Sequence, residues 1–447
     1  MVRLILILLG VDFLRSHWRG LRRFGFFTFL AGAVIFIDAL DGVLFFPIEP
    51  FAILLLLEGA ATLLVAGSGI GGQKKLRYVK GAAFIIAALL ILAGNHDGDM
   101  VLSFIFGTLF LADGALQIAS AIVVRYRTWR LAMLGGVFEL LLAIFFYQPW
   151  PTHYSGVVPY CLGLGLAFTG WNMVLLARRV KRAKRNPAMD DSGAQAGATG
   201  APPVTQWEGP PAPDEPALTI HVWTPTGTVV GNARQRPVIG RYIAAVDRDG
   251  VISTGHAALA SPEGVYISLY PAQEIDRSPD EFTRLLRATR ENNVPGRFLP
   301  SYESESAQWC PSTRQVRIRN YSPQRLEQFW RHYRRDNTYN LTHRNCSSSV
   351  AKGLEAALEG AVGRLWRKRG FWLAFGKLMS TPELWVALQI RKRGQTMAWT
   401  PGLVLDYARA LSMLADPRPT GWINTARRAL GKIWRVRRGK GRARAAG

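Results

Sequence analysis

Residues 100–124 read MVLSFIFGTLFLADGALQIASAIVV, with Asp113 as the one charged side chain. An α-helix needs ~20 predominantly apolar residues to cross a hydrocarbon core, and this run exceeds that length. Outward from it, the same signal recurs at Phe24–Phe46, Ile48–Gly67, Tyr78–Gly94, Trp129–Tyr147 and Val157–Ala177. The expected fold class is therefore an all-α six-helix transmembrane domain over residues 24–180. Residues 1–23 are expected as an interfacial helix leading into it, because Arg3 and the short Leu4–Leu9 run are followed by Asp12, Arg15 and Arg19 rather than by a small-residue cleavage site.

Internal repetition supports the six spans. Glu58-Gly59, Asp113-Gly114 and Thr169-Gly170 recur in the even-numbered spans, the glycines 55 and 56 positions apart. Gly32, Gly81 and Gly135 stand near the starts of the odd-numbered ones. A helical hairpin used three times, packed through small residues, accounts for both series. Glu58 and Asp113 are the candidate intramembrane acidic residues, since an ionisable group inside a membrane needs a partner or a task. The competing reading makes them hydrogen-bonded packing residues.

Basic residues set the expected orientation. Arg15, Arg19, Arg22 and Arg23 precede the first span. Lys74, Lys75, Arg77 and Lys80 follow the second, Arg125, Arg127 and Arg130 the fourth, and Arg178 through Arg185 the sixth. The alternate loops at 47–50, 95–99 and 148–156 have no Lys or Arg. Both termini are thus expected in the cytoplasm. This three-hairpin pattern with a basic entry segment resembles the HdeD family of acid-resistance membrane proteins, over roughly residues 10–180. The resemblance implies a multi-pass bacterial inner-membrane protein connected with acid stress, and it supplies no catalytic residues.

After Arg185 the chain changes character. Residues 181–216 read as a flexible linker, rich in Pro, Gly and Ala beyond residue 186. Residues 217–360 are expected as an α+β soluble domain. Ala217–Thr224 reads as a strand, Val238–Val246 and Val251–Ala260 as a hairpin around Asp249-Gly250, and Val265–Tyr270 as a further strand. A helix is expected from Ser278, a strand at Gln315–Arg319, and helices from Ser322 to about Arg335 and from Asn345 to about Leu358.

The candidate chemistry lies in Tyr339-Asn-Leu-Thr-His-Arg-Asn-Cys-Ser-Ser-Ser349. Asn345 is a good N-cap, which puts Cys346 in the first turn of a helix, where free N–H groups and the helix dipole favour a thiolate. Arg344 adds positive charge in sequence, and Gly255-His256 offers a base on a strand. Asn345 and the helix start are candidates for holding an oxyanion. The remaining cysteines, Cys161 and Cys310, complete neither a disulfide framework nor a zinc site, so no metal or cofactor is expected. The order Gly-His strand, second strand, helices, then Asn-Cys opening a helix resembles the circularly permuted papain-like thiol hydrolases, including NlpC-related amidases and lecithin:retinol acyltransferase relatives. The resemblance implies Cys346 as nucleophile and His256 as general base. It puts the third polar group at Ser268, where the pattern usually has His, Asn or Gln. Tyr270 and Glu274 are alternatives, and His221 is a second candidate base.

Residues 361–447 form a basic tail rich in Trp and Arg. Helices are expected at Arg364–Phe375, Pro382–Arg393 and Pro401–Leu414. Gly421–Val436 sets Trp422, Ile423, Leu430, Ile433 and Trp434 against Arg427, Arg428, Lys432 and Arg435. With a formal net charge of +24, an anionic partner is expected, and each basic residue near a membrane contributes ~1 kcal/mol. No nucleic-acid fold motif accompanies the charge, so the expected partners are the bilayer and an anionic lipid surface rather than nucleic acid. Two functions remain open: a tethered cysteine hydrolase or acyltransferase acting on an amide, isopeptide or lipid ester, or a non-enzymatic acid-stress membrane protein whose soluble domain is an inactive binding module.

Overall fold

The computed structural model describes residues 2–10, 14–15, 17–40, 49–66, 72–93, 96–126, 128–148, 150, 154, 156–182, 211–212, 214–223, 245–246, 252–253, 255–273, 286–366 and 371–417. The N-terminal region is helical: α1 Val2–Leu9, α2 Trp18–Asp38, α3 Glu49–Ala66, α4 Gly72–Ala93, α5 His96–Val124, α6 Trp129–Tyr147 and α7 Val157–Arg182. Among the described residues, four segments are long and apolar enough to cross a membrane: Trp18–Asp38, Gly98–Val124, Trp129–Tyr147 and Val157–Lys181. Within α3 and α4 the described residues include shorter apolar helical segments, Ala52–Leu63 and Tyr78–Ala93.

The chain divides into two compact units, residues 1–29, 110–142 and 168–417 in one and 30–109, 143–167 and 418–447 in the other. Within the second, α3 meets α4 at glycine: a Cβ on either Gly59 or Gly81 would stand 3.0 Å from the other's carbonyl oxygen. A Cβ on Gly163 of α7 would stand 2.8 Å from the carbonyl of Gly32 on α2. Within the first unit, Gly114 of α5 and Gly136 of α6 meet in the same reciprocal way, at 2.8 and 2.9 Å. A Cβ on Gly25 of α2 would lie 2.9 Å from the Gly170 carbonyl on α7. Glycines therefore join α3 to α4, α5 to α6 and α2 to α7. Only residues without a side chain allow such backbone approach.

Two acidic residues of the helices, Glu58 and Asp113, are paired at the surface. Glu58 accepts from Lys80 Nζ at 2.8 Å, and Asp113 from Lys392 Nζ at 2.9 Å. Both carboxylates are half-exposed within the chain, 46 % and 55 %.

The first unit also holds the sheet region. Its strands are β1 Leu218–Trp223, β2 Ala245–Val246, β3 Ile252–Ser253, β4 His256–Ala260, β5 Tyr266–Ile267, β6 Leu269–Pro271, β7 Val294–Phe298, β8 Arg314–Ile318 and β9 Thr338–Tyr339. A four-stranded sheet has the order β5-β4-β1-β8, all antiparallel. A second sheet has the order β6-β7-β9, and β2 pairs with β3. The strand expected at 265–270 is broken at Ser268: β5 pairs with β4, and β6 pairs with β7, so the chain changes sheets there. Helices follow as α8 Tyr302–Gln308, α9 Pro323–Tyr333, α10 Cys346–Ala357, α11 Ala361–Trp366, α12 Phe371–Ser380, α13 Pro382–Thr396 and α14 Pro401–Ala415. The helix expected from Ser278, the turn at 249–250 and the segment Gly421–Val436 lie outside the described residues.

Alternation along β1 builds two faces. Leu218, Ile220 and Val222 join a core with Val350, Leu354 and Ala357 of α10 and Val404, Ala408 and Leu411 of α14. Trp223 on the opposite face packs with Ala258 and Tyr266. The core thus continues past Gly360 into the region read as a tail. Helix α1 belongs to it too. The sequence suggests an interfacial role for this segment, but Leu4, Leu8 and Leu9 are buried by protein, and the Gly360 N–H donates to the Ile7 carbonyl at 2.7 Å.

Candidate active site

The candidate base is positioned by backbone geometry. Gly255 has φ +70°, in the left-handed region where an L side chain is strained, and it delivers His256 as the first residue of β4. His256 pairs with Trp223 across the sheet and is 4 % exposed. The nucleophile candidate is positioned by a cap. Asn345 Oδ1 accepts from the Ser348 N–H at 2.8 Å while Ser348 Oγ accepts from the Asn345 N–H at 2.9 Å, a capping box that starts α10 at Cys346. The Asn345 amide donates to the carbonyls of Leu341 at 2.7 Å and Trp399 at 2.8 Å. Its side chain therefore has no donor left for an oxyanion. The N–H groups of Cys346 and Ser347 have no acceptor among the described residues, as the first turn of a helix provides.

The thiol of Cys346, 8 % exposed, lies close enough to His256 for each to shift the other's charge state, and it meets Ser347 Oγ at 3.7 Å. The imidazole Nε2 stands 2.9 Å from Ser268 Oγ and 3.1 Å from Glu305 Oε1. The break in the strand at Ser268 is what brings that hydroxyl to the ring. Glu305, on α8, is 1 % exposed. Its carboxylate accepts from the hydroxyls of Tyr266 and Tyr270, the latter at 2.8 Å. The Tyr270 ring stacks on His256 with centroids 4.0 Å apart. Glu274, the other alternative for the third group, lies outside the described residues.

These contacts set the charge states. Burial opposes ionisation of Cys346; the His256 charge and hydrogen bond, with hydrogen bonds from Ser347 and the Ala257 backbone, outweigh it and hold the thiol below the ordinary cysteine range. Burial also pushes His256 down, but Cys346 and Glu305 overturn this and lift the imidazole to about 9. For Glu305 burial raises the carboxyl, and the hydrogen bond and charge of His256 with the two tyrosine hydroxyls bring it down to about 2. The arrangement favours a thiolate, an imidazolium and a carboxylate in a line, closed off from water.

Other residues singled out in the sequence have different occupations. Arg344 turns away from the thiol: Nε donates to the Thr338 carbonyl at 2.8 Å, and the guanidinium lies 4.0 Å from the Tyr333 ring centroid. The charge that stabilises the thiolate comes from His256 instead. His221 stacks on Tyr302 and meets Ser312 Oγ through Nδ1 at 3.1 Å, and burial pushes it down to about 4. The carbonyl of Cys310 accepts from Trp223 Nε1 at 2.7 Å. Among the described residues no group of three or more His, Cys, Asp or Glu is arranged to hold a metal ion.

Glu305 is the site residue that sequence reasoning missed. Its stretch, YESESAQ, reads as a solvated polar turn, and nothing local marks one of its two glutamates as buried. No protein-family model, curated protein or solved structure matches the chain.

Proposed function

We propose that the chain is a membrane-anchored cysteine hydrolase or acyltransferase, with an HdeD-like domain of six spans carrying a permuted papain-like domain on the cytoplasmic side. The observation that supports the reading is the electrostatic coupling of buried Cys346 to His256, whose Nε2 faces Glu305 and Ser268. A cysteine at a helix start, a base within reach and a group orienting that base are what nucleophilic catalysis at a carbonyl requires.

In the proposed reaction the Cys346 thiolate adds to the carbonyl carbon of an amide or ester. The oxygen takes up the electron pair near the free N–H groups of Cys346 and Ser347. As the tetrahedral species collapses, the carbon–nitrogen or carbon–oxygen bond breaks, and His256 gives its Nδ1 proton to the departing amine or alcohol. Water, or another acceptor hydroxyl or amine, then adds to the thioester while His256 takes the acceptor's proton. Collapse releases the acid or transferred acyl product and restores the thiolate. Glu305 keeps its charge throughout and holds the imidazolium, with Ser268 as a second acceptor for the Nε2 proton.

The low exposure of Cys346 favours a second reading, in which the sheet region is an inactive module and the membrane helices carry the function. Incubating the full chain with ester, amide and thioester reporter panels separates the two. Turnover that vanishes in Cys346→Ser supports the enzyme, and turnover equal in wild type and Cys346→Ser rejects it.

A further inference from the structure

The start of α2 and the end of α7 carry a cationic cleft that the cysteine site does not use. Trp18, Arg22, Arg178 and Lys181 line a volume of about 350 Å³. Arg22 lies 5.3 Å and Lys181 5.1 Å from the centroid of the Trp18 ring, and Arg19 lies over the same ring at 5.6 Å. Among the described residues no carboxylate pairs with Arg22, Arg178 or Lys181. Like charges gathered around one indole repel one another, and the cation–π attraction offsets only part of that cost. An anion placed among them would relieve that repulsion.

Its place in the helices identifies the anion. Gly25 of α2 packs against Gly170 of α7, so Arg22 lies in the turn before that contact on one helix and Arg178 and Lys181 lie two to three turns beyond it on the other. Both helices are long and apolar enough to span a membrane. The cleft is therefore at the end of an antiparallel pair, at the depth where tryptophan settles and phosphate groups lie. Basic pockets between spans at that level suit phospholipid headgroups. We propose that Trp18, Arg22, Arg178 and Lys181 form a site for the phosphate of an anionic phospholipid headgroup, the indole resting on the glycerol and upper acyl chain. This site is separate from the lipid contact expected of the C-terminal basic segment.

Native mass spectrometry of the full chain in detergent, titrated with phosphatidylglycerol or phosphatidylcholine, tests the assignment. Wild type should retain one phosphatidylglycerol at lipid levels where phosphatidylcholine has left. The triple variant Arg22→Gln/Arg178→Gln/Lys181→Gln should lose affinity about a hundredfold, from a contribution of about fivefold per cation. Arg125→Gln/Arg127→Gln/Arg130→Gln removes the same charge from another basic loop and should change binding less than about threefold if the site is local. If the triple variant does not fold, Arg178→Gln and Lys181→Gln are measured singly, each expected to weaken binding about fivefold. Equal losses in the two sets of variants, or equal retention of the two lipids, would overturn the proposal. Displacement of the lipid by millimolar inorganic phosphate would also overturn it, in favour of a free-anion site.

Discussion

Carboxylates in the helices and in the sheet region live under opposite regimes. Glu58 and Asp113 each meet one lysine at 2.8–2.9 Å and remain half-exposed within the chain. Glu305 is buried and meets an imidazole and two tyrosine hydroxyls. On a helix that lies in a bilayer, exposure within the chain is exposure to lipid, where a carboxylate keeps its charge only with its lysine beside it. A buried carboxylate with three donors is held in one charge state and one position, and removing any donor leaves desolvation uncompensated. The difference separates a carboxylate held by one lysine from one whose replacement disturbs a whole cluster.

The sharpest way to break this contrast is at the nucleophile. Cys346→Ser should remove turnover by about 10⁴-fold or more, as expected when one member of a catalytic unit is deleted. It should also abolish the fast-alkylating thiol in an iodoacetamide titration, whose half-point should lie below the ~8.5 of free cysteine. A half-point at or above that value would separate the thiol from His256.

Glu305→Gln should cost about 10²-fold in kcat/KM, within the range for a positioned acid–base partner. Loss of the carboxylate destabilises the imidazolium, so the titration of Cys346 should move to higher pH. Ser268→Ala, which removes a neutral hydroxyl, should cost less than about tenfold. Equal effects would mean the hydroxyl, and not the carboxylate, orients the ring.

The same carboxylate predicts a pH dependence of stability. Its folded pKa is depressed from 4.5 to about 2, so its contribution is present above pH 4.5 and is lost as pH falls through that value towards 2. Thermal melts of the sheet region should show this acid limb in wild type and a flatter one in Glu305→Gln. At the helices the expected effects shrink. Gly114→Leu, forced against the Gly136 carbonyl, should destabilise the α5–α6 pair by about 1–3 kcal/mol in detergent unfolding. Glu58→Gln should destabilise the α3–α4 pair by about 1–3 kcal/mol, because Lys80 then keeps its charge without a partner; no change would show that water reaches the pair.

Local signals account for what could be read in advance. Cys346 and Asn345 announce themselves as a capped helix start, and the glycine before His256 marks a backbone position that the φ of +70° explains. Long apolar runs needed only counting, and four of the helices meet the length and composition of a span. What could not be read depends on distant partners. Ser268 could be named, but not the sheet change that aims it, because β6 finds its partner β7 some 25 residues later. Glu305 lies 49 positions after His256 in an unremarkable polar stretch, and only the packing of α8 over the sheet buries it. The burial of α1 is similar: VRLILILL is apolar enough for a lipid interface or a protein core, and α10 and α11 decide between them.

The contact between Ile7 and Gly360 also has a consequence in time. The two residues are 353 positions apart in the chain yet share a hydrogen bond. A ribosome adding ~5–20 residues per second takes roughly 20–70 s to make the stretch between them. For that interval the leucines of α1 have no α10 or α11 to cover them, while the intervening spans are already entering the bilayer. The segment must be held by a chaperone, by lipid or by a provisional protein partner until the far side of its core emerges. Completion of the sheet region then becomes a late event, tied to release of the N-terminal helix from whatever kept it soluble.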